Sequence, residues 1–398
     1  MGRSTVWAAL LAAGMGLACN QAAAQLPAGT TAFSPGPALD AQSWGIFVQA
    51  VRPAAGAGIT FECWATDAET FPASPTSTPP TWPTECGRVS PGRFQTSRLQ
   101  LAHLPAAAAR GVQAIAPVGC AVPQNGAAGN FPTGQSNCIA EEVRRNKISF
   151  DFIASNGLYW QKGLAAAFAS PAPVSFTNLS VELKADWMPV ATVSAWLQSN
   201  GVPQATTQWV MANYYITTEP GSQLNPFALV AMHISLKTPE HPNWVWATFE
   251  HQNNPGRCDT MGCYDQFGMA ANPSIPPNAT ANLQYPACTK SAALQALFQA
   301  GAVPTVMANY CLKATQVDPT QGNLAVLDGN SVTERMAAGV PIARASCLTC
   351  HAYAMVNKSG AIDFKTNPGL NSPAPIGLFT IPGDQKQIDF VWGIINAQ

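Results

Sequence analysis

The stretch LVAMHISLKTPEHPNWVWATFEH, residues 229–251, decides the fold class. Leu229 to Lys237 and Trp244 to His251 both read as β-strands. The intervening Thr238-Pro239-Glu240-His241-Pro242-Asn243 has turn composition, so the two strands form an antiparallel hairpin. Side chains alternate between faces along a strand, so register decides which of them meet. Pairing Lys237 with Trp244 puts His233, Thr248 and Glu250 on one face and His251 on the other. A slip of one residue brings His233 and His251 together. The sequence leaves both registers open.

Working outward, Val181, Leu183 and Ala185 alternate with Glu182, Lys184 and Asp186, the pattern of a half-buried strand whose charged side is solvated, with the lining of a cofactor cavity as the alternative. Gln208 to Thr217, Tyr310 to Thr315 and Ile59 to Trp64 also read as strands. Helical spacing appears over residues 38–51, ended by Pro53, and over Ser291 to Ala300. Residues 140–168 carry two helical patterns broken near Asn156-Gly157, with Val143, Ile148, Phe152 and Ile153 toward the core. Residues 71–83, 105–139 and 252–287 have loop composition. A helix is expected from about residue 331 and another from Asp384 to Asn396. The fold expected is therefore α+β: a central antiparallel sheet, peripheral helices and a C-terminal helical segment. Residues 25–330 form the main body and 331–398 pack on it.

Of 398 residues, 47% are hydrophobic and 10% charged, and the formal net charge is -1. The chain is long enough for a sizeable core. Without a basic stripe it lacks what phosphate binding needs, so nucleic acid is not an expected partner. Arg3, the short apolar run Trp7 to Ala18 and Ala22-Ala23-Ala24 read as a signal peptide over residues 1–24. Lipid attachment at Cys19 is the alternative. No later segment reads as a transmembrane span, so a periplasmic or secreted location follows.

The 11 cysteines fit that location. Setting aside Cys19, Cys347 and Cys350 leaves Cys63, Cys86, Cys120, Cys138, Cys258, Cys263, Cys288 and Cys311. An even set in an exported chain reads as disulfides. Pairing sequence neighbours gives 63–86, 120–138, 258–263 and 288–311, one of about 105 connectivities.

Cys347-Leu348-Thr349-Cys350-His351 is CxxCH. Two thiols on one helical turn suit the two vinyl groups on one edge of haem, and the next residue places an imidazole under the iron. The motif resembles the attachment site of c-type cytochromes, which implies one covalent haem c on Cys347 and Cys350 with His351 as proximal ligand. A dithiol redox pair would want a βαβ context, and a zinc site a second ligand pair; neither is visible. Phe61-Glu62-Cys63-Trp64-Ala65-Thr66-Asp67, Trp246-Ala247-Thr248-Phe249-Glu250-His251 and Asn330-Ser331-Val332-Thr333-Glu334 extend the likeness to exported bacterial proteins of the cytochrome c family. That resemblance implies haem and export but no substrate.

The pattern of small cytochromes c breaks on the other side of the iron. Met355 is the sole methionine after His351 and sits on the His351 side, so a second ligand must come from upstream or be absent. His251 is the first choice as distal ligand, because Glu250-His251 opens a polar strand end. His233 is a further candidate distal ligand; His233, His251 and Glu250 are also candidate proton-transfer groups, and a core histidine satisfied by hydrogen bonds is the plainer role for each imidazole. His103 is a weak candidate, and His241 belongs to the turn. Met188, Met211, Met232, Met261, Met269, Met307 and Met336 remain as ligands or core filling. Trp187, Trp244 and Trp246 pack the sheet or stack near the porphyrin. Electron transfer with a redox partner protein or a small-molecule donor or acceptor leads. A haem enzyme of peroxidase or oxygenase type, or a haem-based sensor, stands behind it.

Overall fold

A computed structural model of the chain describes residues 26, 28–32, 36–55, 58–84, 86, 139–218, 226–278, 283–334, 342–362 and 379–398. Its centre is a seven-stranded antiparallel sheet. The strands are β1 (Ala65–Thr66), β2 (Ala140–Arg145), β3 (Val181–Pro189), β4 (Ile216–Thr218), β5 (Pro226–Leu236), β6 (Val245–His251) and β7 (Tyr310–Gln316). The order across it is β7-β6-β5-β3-β2-β1, with β4 on the first residues of β5. Helices lie around this sheet, so the class is α+β.

The β5–β6 hairpin pairs Leu236 with Val245, His233 with Thr248 and Ala231 with Glu250. This is the register in which Lys237 would face Trp244. His233 and Glu250 therefore share one face, and His251 points to the other.

That other face is mostly apolar. Leu183, Met232, Ile234, Ala247, Phe249 and Leu312 pack beneath the helices Pro37–Val51 and Ala292–Ala300. Trp44 and Phe47 surround Phe249 at centroid distances of 5.1 and 4.6 Å. Burying each such side chain stabilises the fold by about 1.5–3 kcal/mol. Pro37 supplies a preset φ at the start of its helix, and Arg52 turns extended before Pro53 at its end. Ser291 caps the second helix by accepting the Leu294 amide at 3.1 Å.

The His233 face is polar yet covered. Asp186, Thr248 and Glu250 are fully buried, and the Glu182 and Lys184 side chains keep 14% and 22% of their exposure. The solvated face expected for Glu182, Lys184 and Asp186 is thus corrected. Residues 328–334 lie across it, with the Thr333 hydroxyl donating to Asp186 and Ser331 donating to Glu250. Further along, Trp246 meets His351 and Gln316 meets Leu348.

Other local expectations also change. Thr60–Cys63 is a 3-10 helix rather than part of a strand, with the Glu62 carboxylate turned back to the Ile59 amide. Residues 140–145 are strand, and the first helix of that region begins only at Lys147, after Asn146 caps Ser149. Ile148 is consequently 36% exposed rather than core, while Ile153 is buried. The break at Asn156-Gly157 stands, since Gly157 takes a φ of 69° between the two helices. Thr207–Asn213 is a helix because Thr206 caps Trp209, so the strand expected from Gln208 shrinks to Ile216–Thr218.

The C-terminal helix expected over 384–396 is replaced by a strand, Gln385–Gln387, paired with Met355–Asn357, and by a 3-10 helix, Trp392–Asn396. Positive φ angles at Asp389 and Phe390, 41° and 68°, break any continuous helix there. Of the helix expected to lead into CxxCH, the structure describes a turn at 331–334 and a 3-10 turn at Ile342–Arg344; residues 335–341 lie outside the described residues.

Disulfides join Cys63–Cys86, Cys258–Cys263 and Cys288–Cys311. The expected 120–138 pair, the signal peptide and His103 fall outside the described residues. Disulfides of this kind fit an oxidising, exported location. Among the described residues no helix is long and apolar enough to cross a membrane.

Candidate functional site

The CxxCH motif forms a short helix, Cys347–Ala352, clamped from below by the sheet. Gln316, the last residue of β7, accepts the Leu348 amide at 2.9 Å and donates to Ser346 Oγ at 3.0 Å. Ser346 is the N-cap and accepts the Thr349 amide at 3.4 Å. Leu348, Thr349 and Ala352 are buried beneath the helix. Residues three and four apart share a helix face, so Cys347, Cys350 and His351 emerge together. Cys347 and Cys350 are unpaired, whereas the other described cysteines form disulfides.

His351 is held from two sides. Its ring lies 4.3 Å, centroid to centroid, from that of Trp246. Its Nδ1 lies 2.8 Å from the Phe390 carbonyl oxygen. A carbonyl only accepts, so Nδ1 carries the proton and donates, which leaves the Nε2 lone pair free. The strained backbone at Asp389-Phe390 is what turns that carbonyl inward. Asp389 is itself anchored: Lys237 Nζ reaches its carboxylate at 2.7 Å, and the Phe176 amide donates to it at 2.6 Å. Burial pushes the His351 imidazole down to about 3, so the ring stays neutral, as a metal ligand must.

Beside the motif, on β5, stands His233. Its Nδ1 lies 3.8 Å from Cys347 Sγ and its Nε2 lies 3.0 Å from Glu334 Oε1. His233, Glu334 and Cys347 offer ligand atoms all within 4.8 Å of one another. Glu334 also accepts the Asn330 amide at 2.6 Å. Burial alone would lower the His233 pKa, but the Glu334 carboxylate outweighs it and the net shift is upward. Burial likewise works against the Glu334 carboxylate, and its pairing with His233 reverses that to a net downward shift.

The floor around this pair carries buried charge. Lys184 Nζ lies 3.3 Å from Glu141, and Lys313 Nζ lies 3.7 Å from Glu250 without a hydrogen bond among the described residues. Burial pushes Lys313 down and raises Asp186 and Asp328 to about 7. The Asp328 carboxylate is buried with neither oxygen hydrogen-bonded among the described residues.

The other candidates are placed elsewhere. His251 is fully buried on the opposite face, stacked 3.4 Å from Tyr214, with Nε2 on the Asn213 carbonyl at 3.0 Å. The alternation of β6 turns it away from Cys347, so the structure does not bring this candidate to the motif. Glu250 shares the face of His233 but is a tether, accepting both the Ser331 amide and its hydroxyl. Met188, Met232, Met261 and Met307 are core residues, and Met211 is 53% exposed; Met336 lies outside the described residues. All three tryptophans pack in the cores, and Trp246 also touches His351.

Glu334, Asn330, Gln316 and the Phe390 carbonyl belong to the site but were not singled out as site residues from sequence. Glu334 ends the stretch Asn330 to Glu334, which carries part of the family likeness and reads as the start of a helix, with nothing in its spacing that points to the motif. A backbone carbonyl leaves no compositional trace at all. Protein-family models, curated proteins and solved structures yield no match to this chain.

Proposed function

We propose that the protein is an exported, single-haem c-type cytochrome-like protein that carries electrons. Cys347 and Cys350 would hold the haem by thioethers, and His351 Nε2 would bind the iron. Bound there, haem supplies a one-electron ferric–ferrous couple, with a redox protein or a small molecule as donor or acceptor.

One observation carries the reading. In a chain whose other described cysteines are cross-linked, two thiols stay unpaired on the turn that presents a neutral, single-tautomer imidazole. Metal-bound histidines characteristically give their second ring N–H to a carbonyl or carboxylate, and His351 has that partner in Phe390. The three disulfides fit the compartment in which haem c is attached.

The test is the mass of the secreted chain made with a cytochrome c maturation system. Haem bound through both thioethers adds one haem to the mass and survives denaturation. Cys347→Ala with Cys350→Ala should lose the increment. A mature wild-type chain with no added tetrapyrrole would end the proposal. A zinc or dithiol site on Cys347 would instead appear as a metal removed by chelator or as reversible oxidation.

A further inference from the structure

We propose that His233, oriented by Glu334, is the base that takes the proton from Cys347 Sγ when this thiol adds to a carbon–carbon double bond, which makes Cys347 the leading nucleophile of the motif. That the double bond is a haem vinyl group rests on the haem reading above; the thiol and its base are read from the chain itself.

Three groups from three segments stand in a row. Cys347 Sγ lies 3.8 Å from His233 Nδ1, and His233 Nε2 lies 3.0 Å from Glu334 Oε1. A carboxylate only accepts, so Nε2 carries the proton and the Nδ1 lone pair is turned to the thiol. Nucleophile, base and orienting group in that order activate a thiol that does not ionise by itself. The thiol also touches the Asp328 carbonyl oxygen at 3.6 Å, which can hold its proton but not remove it. Glu334 is a positioning residue and is itself fixed. It accepts the Asn330 amide, and Asn330 donates to Thr248 at 2.8 Å, the residue paired with His233 across β5 and β6. Its charge favours the imidazolium that forms when His233 takes the proton.

The other charged groups facing His233 have partners of their own. Lys184, opposite it on β3, lies 3.3 Å from Glu141, and Asp186 accepts the Thr333 hydroxyl. The buried Asp328 carboxylate, close to Cys347, is the rival base.

Exposure and ionisation both argue for the opposite order of reaction. Cys347 is 9% exposed and Cys350 more so. Burial raises both thiols, to about 11 at Cys350 and well above the ordinary thiol range at Cys347. Unaided, Cys350 would react first. Only Cys347 has an imidazole nitrogen at its sulfur among the described residues.

The step is an addition and balances without oxidant or reductant. The S–H bond breaks and its proton goes to His233 Nδ1. Sγ bonds to one alkene carbon, and the other alkene carbon receives a proton.

The first experiment uses the full haem-free chain, with the motif thiols reduced and the disulfides intact, and acrylamide as the alkene. Peptide masses give the rate at each thiol. Cys347 should be modified about 10-fold faster than Cys350. His233→Ala should reverse that order and added imidazole should restore it, a rescue that a purely structural role would not give. Glu334→Gln should lower the preference part-way, without rescue by imidazole. Should His233→Ala fail to fold, His233→Gln reads the same reversal. A preference for Cys347 that survives in His233→Ala, or that is lost only in Asp328→Asn, overturns the proposal, as does faster modification of Cys350 in the wild type. The second experiment uses chain made with the cytochrome c maturation system. Cys350→Ala should keep haem on Cys347 by mass, and adding His233→Ala should lower the share of chain that carries it; an undiminished share overturns the extension to the vinyl group. A wild-type chain without haem overturns the parent reading, and the acrylamide rates then decide the thiol and its base alone.

Discussion

Phe249 and Glu250 are consecutive residues of one strand, both with no exposure, yet they belong to two different kinds of interior. Phe249 lies among Trp44, Phe47 and Phe298 on a face closed by two helices. Glu250 lies under residues 328–334, tied to Ser331 and close to Lys313. The first face is held by contact area and shape. The second is held by matched charges and hydrogen bonds, and it is the one that carries the site. A buried polar face is costly where a group lacks a partner, as Asp328 does among the described residues, so it constrains its cover more narrowly than an apolar face does. That is why the CxxCH helix and the 328–334 segment sit where they do.

Two adjacent substitutions separate these interiors. Phe249→Ala should cost about 3–5 kcal/mol of unfolding free energy, by lost transfer energy and the cavity left behind. Lys313→Met should not rescue it. Glu250→Gln should cost about 3 kcal/mol, because it strands the Lys313 ammonium, and here Lys313→Met should return a large part of the loss. Urea unfolding of the two single and two double variants measures both. Equal responses to Lys313→Met in the two backgrounds would mean that the faces are not energetically distinct.

His251, at the end of the hairpin, gives a smaller effect with a defined pH sign. Burial holds His251 down to about 3 in the folded chain, against about 6.5 when unfolded. The unfolded chain therefore takes up the proton first as pH falls. The stability drawn from neutral His251 is complete above about pH 6.5 and is lost on acidification toward pH 3. At pH 5 the loss is about 2 kcal/mol, and His251→Gln should lack it. The wild-type advantage over His251→Gln should thus shrink by that amount between pH 7 and pH 5; an unchanged advantage refutes the assignment.

The smallest expected effect concerns the clamp on the motif. Ser346→Ala removes the N-cap of the Cys347–Ala352 helix and should cost about 1 kcal/mol. Gln316→Ala removes the Leu348 and Ser346 contacts together, so the double variant should cost less than the two singles added. Strict additivity would show that Gln316 and Ser346 do not act as one unit.

Much of the frame was legible because its signals are local. The hairpin showed in turn composition between two strands, the Pro37–Val51 and Ala292–Ala300 helices in their spacing, and the disulfide pairs in short loop lengths. The misreadings share a cause. Thr206 and Asn146 each cap a helix that begins beside strand-like residues, and a single capping hydrogen bond shifts the boundary by several positions. At Asp389-Phe390 the apolar spacing looked helical, yet the left-handed backbone there serves Phe390's contact with His351. Local propensity gave way to a tertiary requirement.

The amino-acid sequence alone determined the chemistry on offer: two thiols and an imidazole on a single turn, near one end of a chain rich in disulfide-forming cysteines. Spacing along a helix is enough for that, because residues three and four apart share a face whatever surrounds them. Tertiary structure alone decided which other groups join them. His233 and His251 differ by strand register, and Glu334 and Phe390 reach the site from segments about 100 or more residues away from His233. A one-residue slip in β6 would have moved His251 out of its dry aromatic core onto the polar face of His233, and only the packing of both faces at once excludes it.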